Sequence, residues 1–217
     1  MEKILVTGAA GQIGSELVMA LRNQHGGMRV IASGYRTALP SNVVASGPCL
    51  TLDVTDRKRL DKVIRGQEID TIFHMSSILS ALAEHERTRA YDVNIQGVVN
   101  ILEACLEHEV ARVVIPSSIA AFGPDTPKIN TPNETIQRPD TVYGISKVFT
   151  ELIGNYYFAK LGVDVRGLRL PGIISWMTKP TSGTTDYAVA MFHAAINEGS
   201  YVCYLRSDTR LPMMYMP

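Results

Sequence analysis

The chain has 217 residues, of which 46% are hydrophobic and 19% charged, so it can bury a substantial core, and a disordered tail or a short peptide hormone is excluded. Its 21 lysine and arginine residues balance 21 aspartate and glutamate residues, so no net positive field favours nucleic acid as a partner. The cysteines Cys49, Cys105 and Cys203 lie far apart without a C-x-x-C pair, which is typical of a protein of the reducing cytoplasm.

Neither end of the chain contains a sequence typical of a leader or a membrane span. The N-terminal sequence reaches a glycine-rich stretch after Thr7, too early for the apolar run of a secretory signal. Residues 187–196 form the longest apolar stretch near the other end, but His193 interrupts it and it is shorter than the roughly 18 residues of a span. We therefore expect a soluble, cytoplasmic protein with no membrane partner.

Short β-rich runs alternate with longer helix-like stretches along the chain. The predicted strands are residues 3–7, 30–33, 49–52, 71–74, 113–116 and 165–170. The predicted helices are residues 13–22, 57–65, 91–107, 143–160 and 186–197. Residues 34–48 and 123–139 are predicted loops; the second is rich in proline and either borders an active site or is a plain connector. This alternation predicts a parallel sheet with crossover helices.

Residues 7–14, the glycine turn, join the first predicted strand to the first predicted helix. Glycines at this place let the backbone turn sharply and approach a pyrophosphate, whose charge then lies at a helix N-terminus. The position after a strand favours a dinucleotide site over a structural turn. The turn contributes five candidate cofactor-binding residues: Gly8, Gly11, Gln12, Ile13 and Gly14.

The choice between NAD and NADP stays open in the sequence. An acidic residue about 20 positions beyond the last glycine usually binds the ribose 2′-hydroxyl of NAD, but this chain has Gly34 there. Arg36 is a candidate for accepting a 2′-phosphate instead. Asp53, followed by Val54 at the end of the third predicted strand, is placed for the adenine edge, although an aspartate there often only caps a turn or helix.

A tyrosine and a lysine stand one helical turn apart at the start of the predicted helix 143–160. The i, i+4 spacing of Tyr143 and Lys147 places the phenol and the ammonium on one face. A phenol with an ordinary pKa of about 10 is a poor base at neutral pH, but a nearby ammonium and an oxidised nicotinamide both favour the phenolate. Tyr143 would then accept a proton from an alcohol as hydride leaves the same carbon.

Ser118 lies at the carboxyl end of the fifth predicted strand, where open parallel sheets place their ligands. Its hydroxyl could hold the reacting oxygen, whereas a serine standing alone would more simply satisfy nearby backbone groups. The glycine turn upstream and the Tyr143 and Lys147 pair downstream favour the catalytic interpretation.

These residues together resemble the short-chain dehydrogenase/reductase superfamily in its extended, nucleotide-sugar-epimerase-like branch. The resemblance implies a Rossmann-type α/β fold, a doubly wound parallel sheet with helices on both faces. It implies an NAD(P)-binding domain over residues 1–170 and the start of a smaller substrate-binding lobe over residues 171–217.

The resemblance also implies roles for individual residues. Tyr143 matches the acid/base, Lys147 the lysine that binds the nicotinamide ribose and lowers the pKa of the tyrosine, and Ser118 the serine that orients the substrate oxygen. Asn94, in the predicted helix 91–107, matches a family asparagine and joins the cofactor-binding candidates. Homodimerisation through the predicted helices 91–107 and 143–160 is expected from the resemblance alone.

Four stretches, residues 74–81, 170–175, 183–189 and 211–216, resemble the epimerase-like L-threonine 3-dehydrogenases within this superfamily. That family oxidises the β-hydroxyl of L-threonine with NAD to 2-amino-3-oxobutyrate in threonine catabolism. The resemblance implies that Ser80, Thr184 and Thr185 contact the amino acid together with Ser118 and Tyr143. The two threonines also make good N-cap and first-turn residues of the predicted helix 186–197.

Several alternatives accompany this hypothesis. A nucleotide-sugar epimerase or dehydratase would use the same tyrosine and lysine, and a non-catalytic nucleotide-binding sensor would need neither. The five histidines show no metal-ligand spacing, so we expect no metal site, and we expect His74 to be structural. Because members of the resembled family continue past residues 211–216, we also expect the chain to be C-terminally incomplete.

Overall fold

The computed structural model describes residues 3–177 and 185–216. The strands are β1 (Ile4–Thr7), β2 (Val30–Gly34), β3 (Cys49–Thr51), β4 (Thr71–His74), β5 (Arg112–Val114), β6 (Ser117–Ser118), β7 (Val165–Arg166), β8 (Arg169–Leu170), β9 (Gly172–Ile174) and β10 (Met213–Tyr215). Six of them form a parallel sheet in the order β3-β2-β1-β4-β5-β7. The parallel pairs β6–β8 and β9–β10 lie outside this sheet.

Helices connect the strands of the sheet. They are α1 (Gln12–His25), α2 (Ser41–Ala45), α3 (Arg57–Gln67), α4 (Ser80–His85), α5 (Arg87–Tyr91), α6 (Gly97–Glu107), α7 (Val142–Leu161) and α8 (Tyr187–Glu198). A π turn over Asp92–Gln96 joins α5 and α6 into one continuous helix. Within the described parts of the chain, no helix is both long enough and apolar enough to cross a membrane.

Apolar clusters cover both faces of the sheet, as a doubly wound fold requires. Along β1, the buried side chains of Ile4 and Val6 pack with α1 and α2, while Leu5 packs on the opposite side with α3, α6 and α7. Strands buried on both faces need apolar residues at consecutive positions rather than alternating ones. The prediction of a Rossmann-type α/β fold is therefore confirmed.

The six predicted strands and five predicted helices are all present, with two differences in detail. The predicted strand 165–170 is divided into β7 and β8 at Gly167, where a Cβ would lie 2.8 Å from the carbonyl oxygen of Ile115. The predicted loop 34–48 contains the helix α2, which is too short to show an apolar periodicity and buries only Val43. The proline-rich loop 123–139 has neither helix nor strand.

A buried arginine fastens α1 to the segment that follows β2. The guanidinium of Arg22 donates hydrogen bonds to the carbonyl oxygens of Val30 (3.1 Å), Val43 and Pro48 (2.6 Å) and to the hydroxyl of Ser46 (2.7 Å). All four partners are neutral, so the charge is stabilised by oriented dipoles rather than by an ion pair. Arg22 thereby fixes the path of the chain beside the amino ends of β2 and β3.

Candidate active site

The carboxyl ends of β1, β4 and β6 open into one cavity of about 420 Å³. Most of the predicted site residues line it: Gly8, Gly11, Gln12, Ile13, Gly14, Ser80, Asn94, Ser118, Tyr143, Lys147 and Thr185. Arg36, Asp53 and Val54 are not in its wall; they follow β2 and β3. Thr184 lies outside the described residues. The structure therefore brings the predicted catalytic residues together with the glycine turn.

The glycine turn has the close packing that a pyrophosphate site needs. Gly8 has a φ of +66°, and a Cβ there would lie 2.6 Å from the backbone nitrogen of Ser76. A Cβ on Gly14 would overlap the carbonyl oxygen of Gly8. Gly11 is the N-cap of α1 and provides no side-chain acceptor, so the amides of the first turn are available to an anion. These residues fit a dinucleotide.

The carboxyl end of β2 lies beside the glycine turn. The backbone nitrogen of Ala9 donates to the carbonyl oxygen of Ser33 at 2.9 Å, and that of Leu52 donates to Gly34 at 2.9 Å. Asp53 Oδ1 accepts hydrogen bonds from the backbone nitrogen (2.9 Å) and the hydroxyl (2.7 Å) of Thr55. Asp53 thus caps a turn, and its contact with adenine stays a prediction.

Tyr143 and Lys147 lie on consecutive turns at the start of α7. The ammonium nitrogen of Lys147 is 5.3 Å from the centre of the Tyr143 ring and donates to the carbonyl oxygen of Pro116 at 2.9 Å. Ser118 Oγ accepts from the backbone nitrogen of Ala120 at 3.2 Å, and the same side chain lies close enough to Tyr143 to act on the pKa of its phenol. Ser118 therefore satisfies a local backbone group and contacts the phenol at the same time.

Burial dominates the electrostatics of this pair. It raises the pKa of Tyr143, and the hydrogen bond with Ser118 opposes the rise only in part. It lowers the pKa of Lys147 to about 8, because the ammonium is withdrawn from water. Lys147 is not among the causes of the shift of Tyr143, so the expectation that it lowers the pKa of the phenol stays a prediction.

His74, expected to be structural, lies in the cavity wall at the end of β4. Its Nδ1 is 2.9 Å from the hydroxyl oxygen of Thr7. Burial and, secondarily, the charge of Lys147 lower the pKa of His74 to about 3, so the imidazole is neutral. Among the described residues nothing bonds its buried Nε2. This unsatisfied atom, next to the glycine turn, also fits a site that is completed by a ligand.

Asn94 lies in the π turn, and its side-chain amide forms hydrogen bonds within the protein. Its Oδ1 accepts from the backbone nitrogen of Ile78 at 2.8 Å and from the hydroxyl of Ser77 at 3.2 Å, and its Nδ2 donates to the carbonyl oxygen of Ile78 at 2.9 Å. A weaker bond of 3.4 Å reaches the hydroxyl of Ser146 in α7. Asn94 thus positions the segment after β4 against α7.

The sequence analysis did not predict a polar cluster that includes Ser117, the neighbour of Ser118. The carboxylate of Glu151 accepts hydrogen bonds from Ser117 Oγ (2.5 Å), Gln137 Nε2 (2.8 Å), and Arg169 Nε (2.8 Å) and Nη2 (2.7 Å). We call these four residues the Glu151 network. Glu151 follows Tyr143 by eight residues and shares its helix face, a spacing that the sequence does display. The network joins α7, the proline-rich loop and the β6–β8 pair.

Comparison with known proteins agrees with this geometry. The profile of the NAD dependent epimerase/dehydratase family matches residues 4–209. An uncharacterized epimerase/dehydratase of Staphylococcus saprophyticus is 46% identical over 216 residues, covering 100% of this chain and 67% of the relative.

Two solved structures are similar over almost the whole chain. The L-threonine dehydrogenase of Clostridium difficile has a TM-score of 0.95 and 47% identity, covering 99% of this chain and 67% of its own. The holo form of the GalE-like L-threonine dehydrogenase of Cupriavidus necator has a TM-score of 0.93 and 44% identity, covering 98% of this chain and 68% of its own. The chain thus spans about two thirds of the length of these relatives.

Proposed function

The chain belongs to the NAD dependent epimerase/dehydratase family, and from this premise we propose that it oxidises the β-hydroxyl of L-threonine with NAD, giving 2-amino-3-oxobutyrate. The observation that carries the proposal is one cavity that contains both the glycine turn and the Ser118, Tyr143 and Lys147 set. The chain is also similar to solved structures of L-threonine dehydrogenases. Oxidation of L-threonine by NAD is an oxidoreductase reaction, and the family is described as NAD dependent.

The proposed reaction divides the work among three side chains. Ser118 holds the substrate hydroxyl, and Tyr143 Oη takes its proton as the C–H bond at the same carbon breaks. The glycine turn would hold the NAD, whose nicotinamide would supply the acceptor for the hydride that leaves the same carbon. Lys147 keeps a positive charge 5.3 Å from the Tyr143 ring, which favours the phenolate that the step requires.

The same cavity offers polar groups for a zwitterionic amino acid. Ser80, the first residue of α4, and Thr185 both line the cavity. Thr185 packs against Gly172, where a Cβ would lie 2.7 Å from Thr185 Cγ2. Hydroxyl groups both donate to a carboxylate and accept from an ammonium, so these two residues are the proposed contacts for the α-carbon substituents.

The test is formation of reduced nicotinamide from NAD and L-threonine, measured by absorbance. Tyr143→Phe should lower kcat by about 100-fold or more, because it removes the proton acceptor. Tyr156→Phe is the matched control, since Tyr156 is half exposed on the same helix and away from the cavity. The assay is run on this chain. Absence of threonine oxidation by the unmodified protein would defeat the proposal.

The Staphylococcus saprophyticus relative is named an uncharacterized epimerase/dehydratase, which supports an epimerase or dehydratase as the second candidate. We propose a nucleotide sugar as the substrate in that case. Such an enzyme would use the same phenol on a sugar attached to a nucleoside diphosphate. Conversion of a uridine or thymidine diphosphate sugar without added threonine would favour it over the dehydrogenase.

A further inference from the structure

The part of the chain that follows the glycine turn is basic. Between Glu16 and Asp53 the sequence has no acidic residue, and it carries three arginines, Arg22, Arg29 and Arg36. The guanidinium of Arg22 is engaged in the buried hydrogen bonds described above, and Arg29 lies just before β2, at the amino end of the strand. Arg36 alone follows the carboxyl end of β2, next to the glycine turn.

We propose that the carboxyl end of β2 is a 2′-phosphate site, with Arg36 as its cation, and that the protein accepts NADP as well as NAD. The inference rests on the proposed function only in requiring that a dinucleotide binds at the glycine turn. It does not depend on which substrate is oxidised.

The first step of the argument is position. Ala9 in the glycine turn donates to the carbonyl oxygen of Ser33 at 2.9 Å, which holds the turn against the end of β2. With a pyrophosphate on the turn, the adenosine ribose reaches this strand end. A carboxylate there would bind the 2′-hydroxyl and repel a phosphate, but the residue is Gly34, which has no side chain.

The second step is space. A Cβ on Gly34 would lie 3.2 Å from both Leu39 Cδ2 and the carbonyl oxygen of Thr37, because the chain turns back over the strand end. A carboxylate side chain would require Leu39 or Thr37 to shift by a few tenths of an ångström. The fold therefore crowds an acidic residue at this position without excluding it.

The third step is the availability of the guanidinium. Arg36 is exposed and lies over the ring of Tyr35, with its Cζ 5.6 Å from the ring centre. Within residues 3–177 and 185–216 no hydrogen bond or ion pair of Arg36 is seen, so its donors remain open to a phosphate, which a guanidinium can bind bidentately. The nearest following acid, Asp53, is engaged by Thr55.

Calorimetric titration with two ligands that differ only in the 2′-phosphate tests this directly. Adenosine 2′,5′-bisphosphate should bind the unmodified chain about tenfold more tightly than adenosine 5′-monophosphate, the gain of a charge-assisted contact. Arg36→Gln should abolish the difference while leaving the monophosphate affinity unchanged. Arg29→Gln, at the other end of β2, should leave both affinities as they are.

Substitutions of Gly34 separate charge from size. Gly34→Asp should make the bisphosphate the weaker ligand, whereas Gly34→Asn, of equal size, should not reverse the order. Equal binding of the two ligands by the unmodified chain, or a preference that survives Arg36→Gln, would overturn the inference. Neither titration contains threonine, so the tenfold preference for the bisphosphate can hold even if the protein does not oxidise threonine. Threonine oxidation by a protein that binds both ligands equally would refute only the phosphate site.

Discussion

Arg169→Met should both destabilise the protein and impair catalysis, because it breaks the Glu151 network. The guanidinium makes two hydrogen bonds to the Glu151 carboxylate, at 2.8 and 2.7 Å, and one to the carbonyl oxygen of Asn133, at 2.6 Å. Burial alone would raise the pKa of Glu151, but hydrogen bonds from Arg169, Ser117 and Gln137 outweigh it and the pKa lies below its ordinary value. Without Arg169, a half-buried carboxylate loses its only charged partner in the network.

The expected size of the effect follows from this burial. Charge-assisted hydrogen bonds are worth about 1.5–3 kcal/mol each, but the side chains of Arg169 and Glu151 are 26% and 18% exposed, so water screens part of the interaction. We expect the free energy of unfolding to fall by about 2–3 kcal/mol, less than for a fully buried pair. Ser117 donates a hydrogen bond to Glu151 and is the neighbour of Ser118, so displacement of Glu151 should also move Ser118. We therefore expect kcat to fall by a larger factor than KM rises.

Urea unfolding of Arg169→Met, Glu151→Gln and the double variant measures the coupling. The double variant should lose less stability than the sum of the single variants, by about 1 kcal/mol or more. Arg166→Met, which breaks the exposed pair of Arg166 with Asp164, is the control and should leave stability close to that of the parent. Additive losses, or a variant that raises KM with kcat unchanged, would refute the positioning role.

Three further predictions concern single side chains. Arg22→Met should lower the free energy of unfolding, measured in urea, by about 3 kcal/mol, because several buried carbonyl groups lose their hydrogen-bond donor. Arg65→Met, on the exposed face of α3, should change the free energy of unfolding little. Gly14→Ala should weaken NAD binding in a calorimetric titration by about tenfold or more, since the new methyl group overlaps the glycine turn. Gly66→Ala is the control: a Cβ on Gly66 in α3 meets nothing within 4 Å, so this variant should stabilise the protein by about 0.5–1 kcal/mol. Lys147→Met should be more stable than the parent below about pH 8, where both folded and unfolded parent carry the charge. That advantage should shrink by about 1.4 kcal/mol per pH unit toward pH 10.5, since the folded parent releases its proton at about 8 and the unfolded chain only at 10.5; an unchanging difference in urea midpoints would contradict it.

Features carried by local sequence were predictable. The six strands, the glycine turn and the i, i+4 pair of Tyr143 and Lys147 each need only neighbouring residues, so spacing alone located them. The convergence of Ser118 with that pair followed from the rule that parallel strands present their carboxyl ends at one edge of a sheet.

Features that depend on distant contacts were not predictable. Glu151 stands at a visible helical spacing, but its partners Gln137 and Arg169 come from a loop and a strand whose relative placement no local pattern encodes. The burial that raises the pKa of Tyr143 is likewise a property of the packed cavity. The lowering of the His74 pKa likewise comes from burial and the charge of Lys147, which only the folded chain brings to bear on the imidazole.

The π turn at Asp92–Gln96 has a consequence for how relatives are aligned and engineered. A π turn accommodates one residue more than the α-helix around it, so the side chains before and after it are out of phase. Ala90 and Val93 therefore pack beside α4 and α7, whereas Val98 belongs to the cluster beneath the sheet. Deleting a single residue here should keep the helix continuous but rotate its first half by about 100° and withdraw Asn94 from Ile78. An indel of one residue in this helix should therefore be treated as a change to the active site.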